Sequence, residues 1–297
     1  MVITPNVPNL PFEMIDGVKH FTLVAEPVDT EILPGVIMHA WGYNGSSPGP
    51  TILVYPGDEI CIRVINHLPQ PTSVHWHGLD VPNVMDGVPA IEPSPRIDPG
   101  CYFDYHYKVT DPPGTHMYHS HYFTVMQDMM GLEGALVIQD PKPLNIQRDY
   151  YIMLGAYKLE GMEMGCVMPG CYDIDPFAMD QNFFTMNGRC FPYTTELPCK
   201  RGDWVRIRFG NVGMGNHPIH FHGHQFYQLA NDGNMVKKEN RLLKNTILVA
   251  SGTTRDILFC ANNPGRWPLH CHLPHHVSNN MTLPLGGMAT AVVYEGE

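Results

Sequence analysis

The strongest constraint on how this 297-residue chain can fold is that it repeats itself. "PGDEICIRVINHLPQPTSVHWHG" (Pro56 to Gly78) and "RGDWVRIRFGNVGMGNHPIHFHG" (Arg201 to Gly223) both alternate apolar and polar residues and both end in His-x-His-Gly. Further on, "PPGTHMYHSH" (Pro112 to His121) matches "NPGRWPLHCH" (Asn263 to His272). Two copies at a period of about 150 residues mean two similar domains and not a solenoid. The segment "IQDPKPLN" (Ile138 to Asn145) reads as the linker, giving domains at 1–142 and 143–297. Short β-rich runs such as "TILVYP", "EICIRVI", "GALVIQ", "WVRIRF" and "MATAVVY" are separated by Gly, Pro and Asn turns. That pattern predicts an all-β chain of antiparallel sandwiches or barrels.

Composition narrows the function classes. A formal charge of −11 argues against nucleic acid or an anionic membrane as partner. No apolar run approaches the ~18–20 residues a membrane span needs. The stretch "MVITPNVPNLPF" lacks the basic and apolar regions of a signal peptide. A periplasmic or secreted location, the one expected here, therefore implies a signal absent from this chain. The close pairs Cys166/Cys171 and Cys190/Cys199 read equally as disulfides of an oxidising compartment or as buried thiols. If Cys271 binds metal, an odd number of cysteines remains and one stays unpaired.

Four His-x-His units stand out: His75/His77, His119/His121, His220/His222 and His270/His272. In a strand, residues i and i+2 point to the same face, so each unit offers two imidazoles on one side. Eight imidazoles are too many for one ion and suit a small copper cluster with positions open to a small molecule. Zinc competes for imidazole ligands, but the cysteine pattern favours copper.

The same geometry explains "LHCH" (Leu269 to His272). If His270 and His272 face the cluster, Cys271 faces away and its thiolate can bind a separate copper behind the strand. A blue copper site needs two imidazoles, a thiolate and a weak axial ligand, often Met. His276 and Met281 lie on the loop after Cys271, and His217 precedes His220. Met281 also reads as a packing residue when taken alone. The first repeat is an internal control. It carries Ser120 in the place of Cys271, Val125 in that of His276, Thr72 in that of His217 and Met130 in that of Met281. One blue copper per chain, in the second domain, is the expectation.

With "HWHG", "HSH", "HPIHFHGH" and "HCHLPHHVSNNM" in view, the sequence resembles the multicopper oxidases over nearly its whole length, and most closely the two-domain laccases. The resemblance implies the cupredoxin β-sandwich in both domains and four coppers per chain. It implies a type 1 copper on His217, Cys271, His276 and Met281, and a type 2 copper on His75 and His220. It further implies a type 3 pair held by His77, His119 and His272 and by His121, His222 and His270. His224 and His275 are not ligands in the family and read as outer or surface groups. Asp86 matches the family's acidic residue near the type 2 copper, where it would relay protons; it also reads as an Asp-Gly turn with Gly87. The resemblance implies a homotrimer, with domain 1 of one subunit meeting domain 2 of the next to complete each cluster.

The expected function is oxidation of a small reducing substrate, a phenol or aromatic amine docking near His217 or His276, coupled to reduction of O2 to water. A cuprous-ion oxidase is the alternative, because "GMEMGCVMPGC" (Gly161 to Cys171) sets Met162, Met164 and Met168 among cysteines. These methionines also read as packing or loop residues. A copper nitrite reductase is disfavoured by Ser120 and by the full set of eight histidines. An electron-transfer or copper-storage protein without oxidase activity is disfavoured by the same eight.

Overall fold

The computed structural model describes residues 1–142, 145–282 and 284–296. Two sandwiches are built almost wholly from strands, with a single-turn α-helix at Thr124–Gln127. The domain boundary expected between Lys142 and Pro143 falls at Pro143 and Leu144, which lie outside the described residues. No helix among the described residues is long and apolar enough to cross a membrane.

The first sandwich pairs a six-stranded sheet with a four-stranded one made from Gly49–Val54, Glu133–Ile138, Gly114–Ser120 and Val74–His77. The second pairs a seven-stranded sheet with a five-stranded one whose centre is His217–Phe221, Arg266–Cys271 and Ala289–Tyr294. Most strand pairs are antiparallel. Parallel pairs also occur, as between Val18–Leu33 and Glu59–Asn66 and between Arg148–Tyr157 and Trp204–Asn211. Alternation does the sorting: in Glu59–Asn66 the apolar Ile60, Ile62 and Val64 are fully buried while Arg63 is exposed. Hairpin turns fall on the expected residues, as at Asn44-Gly45, where both residues take positive φ (51° and 76°).

The halves are interleaved. Ile3 bridges Tyr150 of the second sandwich. Conversely, Gly170–Asp173 adds a parallel edge strand to Val36–Tyr43 of the first, and Tyr157, Leu159, Ile174 and Phe183 join the first sandwich's core. Val2, Met117, Ala135, Val137, Tyr151 and Met153 form an apolar cluster shared by the two domains. Beside it the buried Arg208 guanidinium bonds Asp149 (2.8 and 3.1 Å) and Thr115 Oγ1 (2.5 Å). Thr115 Oγ1 donates to Asp256 (3.0 Å). A buried charge set of this kind resists displacement, because removing one partner strands another charge. It anchors the strand Gly114–Ser120, which carries His119 near its far end. All eight cysteines are free thiols, so neither close pair forms a disulfide.

Candidate metal centres

In the first sandwich, strands Val74–His77 and Gly114–Ser120 pair with His75 opposite His119. Val74, Trp76, Tyr118 and Ser120 turn inward and are fully buried. His75, His77, His119 and His121 gather on the other side, with ring centroids of neighbours 5.4–5.9 Å apart. One nitrogen each of His75, His77 and His119 falls within a 4.8 Å group. The outer nitrogens are held: His75 Nδ1 lies 2.9 Å from the Asp86 carbonyl and 3.3 Å from Asp86 Oδ2. His119 Nδ1 lies 2.8 Å from the Ser120 carbonyl and 3.3 Å from Asp128 Oδ2. A ring that donates through Nδ1 leaves Nε2 free for a metal.

Asp86 does sit in an Asp-Gly turn, and that turn delivers it to His75. Gly87 has φ +89°, and a Cβ there would lie 1.9 Å from the Val74 carbonyl oxygen, so only glycine lets the loop press onto the histidine strand. Behind Asp86, the Glu92 carboxyl is raised by burial and by its hydrogen bond to Asp86. Burial drives His77 down to about 4, with His119 and His75 adding to it. Burial also lowers His119, but the Asp128 carboxylate more than offsets this and the net shift is upward. Burial lifts Glu133, beside Asp128, to about 8.

The second sandwich repeats the register, with His220 opposite His270 and Ile219 opposite Cys271. His220, His222, His270 and His272 lie with ring centroids 4.7–5.9 Å apart. His270 Nδ1 meets the Cys271 carbonyl at 2.7 Å, as His119 meets that of Ser120. His220 Nδ1 meets the Asn245 carbonyl at 2.8 Å. His222 and His272 are exposed. Among the described residues no imidazole of one group is in ring contact with one of the other.

Behind His270 and His272, Cys271 is fully buried. Its Sγ lies 3.4 Å from His276 Nδ1 and 4.0 Å from His217 Nδ1, and the two nitrogens are 3.0 Å apart. His217 shares the inward face with Ile219, the residue opposite Cys271, as strand periodicity requires. Burial raises the Cys271 thiol to about 11. It lowers His217 to about 4 and, with the neighbouring His217 and His275, lowers His276 to about 3. The trio is thus neutral, and a soft or borderline cation that displaces the thiol proton meets one thiolate and two imidazoles. Those donors fit copper of the blue type.

Met281 lies on the loop that follows His276, 54% exposed, with its sulfur 3.7 Å from Ser278 Oγ. His217 and His276, near which the donor is expected to dock, are 1% and 5% exposed. His276 stacks on Phe184 (3.9 Å), and the exposed His275 sits edge-on to it at 4.2 Å. His275 is thus an exposed ring in direct contact with this buried centre. His224 is buried and bonds the Tyr294 hydroxyl (2.6 Å) and approaches the His222 carbonyl (3.2 Å).

In the first sandwich the equivalent hollow is filled otherwise. Ser120 and Thr72 (2.8 Å) both donate to Gln127 Oε1, and Gln127 Nε2 donates to the Pro71 carbonyl (2.8 Å). Val125 is half exposed. Spacing alone did not point to Gln127, Asp128 or Glu133. Polar residues close behind a buried histidine strand were the available signal.

Two family models, both described as multicopper oxidase, match residues 25–143 and 163–286. Among solved structures, the blue copper oxidase of Nitrosomonas europaea superposes with a TM-score of 0.81 at 30% identity, over 93% of this chain and 86% of that one. Among curated proteins, a probable nitrite reductase–hydroxylamine oxidoreductase fusion protein of Kuenenia stuttgartiensis is 29% identical over 90% of this chain and 31% of its own length. The multicopper oxidase mco of Staphylococcus aureus is 36% identical over 46% of this chain and 30% of its own length. The chain thus spans about a third of these curated relatives.

Proposed function

We infer the function from one premise, that this chain belongs to the multicopper oxidase family. It is a copper-dependent oxidoreductase of two cupredoxin-like domains, with a type 1-like His-Cys-His site in the second. Within that family we propose a laccase-like oxidase that takes single electrons from a phenol or aromatic amine and passes them to O2, giving water. Bound copper supplies the one-electron redox chemistry that side chains lack. His217, Cys271, His276 and Met281 would hold the type 1 ion. His75 and His220 would hold the type 2 ion. His77, His119 and His272, with His121, His222 and His270, would hold the type 3 pair.

The observation that carries the reading is the matched register of the two four-histidine groups, with Cys271 on the reverse of one. Cys271 is joined through one peptide bond on each side to His270 and His272, so the electron route is covalent. His275 would meet the donor. Asp86 Oδ2, 3.3 Å from His75 Nδ1, would hold a proton for oxygen reduction, resupplied through Glu92.

Each chain carries two half-clusters out of ring contact with one another, and the exposed or half-buried imidazoles, three on the first and four on the second, ask for a partner. We therefore place domain 1 of one subunit against domain 2 of the next, with three chains closing a ring. A dilution-induced monomer should keep the type 1 signal and lose the cluster. A monomer reducing O2 at the full rate would sink the arrangement.

Two rivals are tested alongside. Met164 and Met168 are 80% and 58% exposed on a segment bonded to the Met281 loop, which favours cuprous ion as a second donor. Ser120, in the place of a thiolate, speaks against a nitrite reductase with its blue copper in domain 1. Copper count, EPR and oxygen uptake with a phenol, with cuprous ion and with nitrite in parallel assays, separate these. Four coppers per chain with phenol-dependent uptake support the laccase reading. One copper without uptake overturns it.

A further inference from the structure

Asn280 and Met281 are consecutive residues with positive φ, 50° and 64°. Asparagine tolerates that region, but methionine rarely adopts it, so something outside the loop must hold it. The holder is visible. Asn280 is 3% exposed. Its side-chain Nδ2 donates to the carbonyls of Glu163 and Cys166, both at 2.6 Å. Its backbone N–H donates to the Asn182 carbonyl (2.9 Å), and its own carbonyl accepts from Gly165 N–H (2.8 Å). Asn182 is tied in turn to Leu159 by 2.8 and 3.2 Å bonds. Three hydrogen bonds therefore lock the residue before Met281 to the strap 159–166, and a fourth ties it to Asn182, which is itself bonded to Leu159. A few residues on, the strap continues as Gly170–Asp173, the edge strand of the first domain's sheet.

We propose that Asn280 is a positioning residue, which with the 159–166 strap fixes where the Met281 sulfur can reach and so sets the reduction potential of the type 1 centre. The proposal rests on Met281 being the axial ligand. An axial thioether tunes a blue copper through its distance from the metal, and a flexible methionine chooses that distance only as well as its backbone is held. Ser278 completes the turn by accepting the Met281 N–H at 3.2 Å. The anchoring loop leads into an edge strand of the other domain's sheet, so on this proposal the potential of the second domain's copper depends on how the first domain holds the strap.

The test compares three variants of the copper-loaded full chain by redox titration, visible spectrum and EPR. Asn280→Asp keeps the side-chain shape and loses both donors. Asn280→Gly keeps the left-handed backbone and loses the side chain. Met281→Leu removes the axial sulfur. Both Asn280 variants should move the type 1 midpoint potential in the same direction as Met281→Leu, by less, with a changed copper hyperfine splitting and wild-type copper content. If Met281→Leu shifts the potential while both Asn280 variants titrate as wild type, the clamp is overturned and the axial assignment stands. If Met281→Leu shifts nothing, the axial assignment fails and takes the clamp with it. A lower melting temperature at Asn280 with unchanged potential and spectrum marks ordinary loop stability and overturns the proposal.

Discussion

The two domains place the same hollow behind the same pair of histidine strands and fill it with different chemistry. In the second domain Cys271, His217 and His276 converge with donor atoms 3.0–4.0 Å apart. In the first, Ser120, Thr72 and Gln127 close on one another by hydrogen bonds. Both sets are buried and both sit under matching strand pairs, His75 opposite His119 and His220 opposite His270. The polar needs of one set are met internally, by an amide that accepts two hydroxyl protons. Those of the other are left open toward each other, with His217 Nε2 lacking a partner among the described residues and the thiol held protonated by burial. Backbone geometry therefore makes a pocket in each domain, and three side chains decide which pocket calls for a metal.

The largest test of that claim is Cys271→Ser, which gives the second domain the first domain's residue. Phenol-dependent oxygen uptake should fall to background. The intense visible band should vanish, and copper content should drop by one per chain while the cluster's EPR signal remains. Retained activity would mean that the hollow is not the electron entry. The reverse test is Gln127→Ala. It strands the hydroxyls of Ser120 and Thr72 and the Pro71 carbonyl in a dry interior, and so should cost about 3–5 kcal/mol of stability. Urea unfolding measures this, and the type 1 spectrum should not change. A spectral change would show that the first hollow communicates with the second domain's copper.

A third difference is acid sensitivity of the metal-free protein. The His217 ring is held near 4 by burial, below its ordinary 6.5. The unfolded chain takes up this proton below pH 6.5 and the folded chain does not. The stability that comes with a neutral His217 is complete above pH 6.5 and is lost as pH falls through 4, at a total of about 3 kcal/mol. Ser120, Thr72 and Gln127 do not titrate, so the first domain's hollow adds nothing to this slope. His217→Gln should flatten the pH dependence of urea midpoints between 6.5 and 4. An unchanged slope would place the acid-sensitive group elsewhere.

Period-two alternation made much of this readable from sequence. It separates Cys271 from His270 and His272, and it puts His217 on the inward face with Ile219. The matching motifs of the two halves supplied the strand register, because each buried face admits one register only. Pairings between segments far apart in the chain left no local mark. The edge strand Gly170–Asp173 joins the first domain's sheet through backbone atoms that any sequence supplies, and the strap offers Asn280 only backbone groups, so nothing in the strap's own residue types marks the clamp. Gln127 escaped notice because the helical turn Thr124–Gln127 displaces it from the spacing that leads to His276 in the other repeat. The burial of His276 depends on how His275 and Phe184 pack against it, which spacing does not encode.

The smallest expected effect is the most direct probe of what separates the hollows. Ser120→Cys restores the thiol to the first domain and changes nothing else. Its sulfur would face the Gln127 carbonyl oxygen and the Thr72 hydroxyl, both hard donors that hold soft copper poorly. In that dry setting the thiol would stay protonated, as burial keeps Cys271 with no cation bound. The variant should therefore bind no additional copper and gain no thiolate-to-copper band. It should lose only about 1 kcal/mol, the worth of one good hydroxyl hydrogen bond exchanged for a weak one. If this single change instead yields a second blue centre, the thiol alone decides the site. The paired imidazoles of the second domain would then be tuning a centre they do not create.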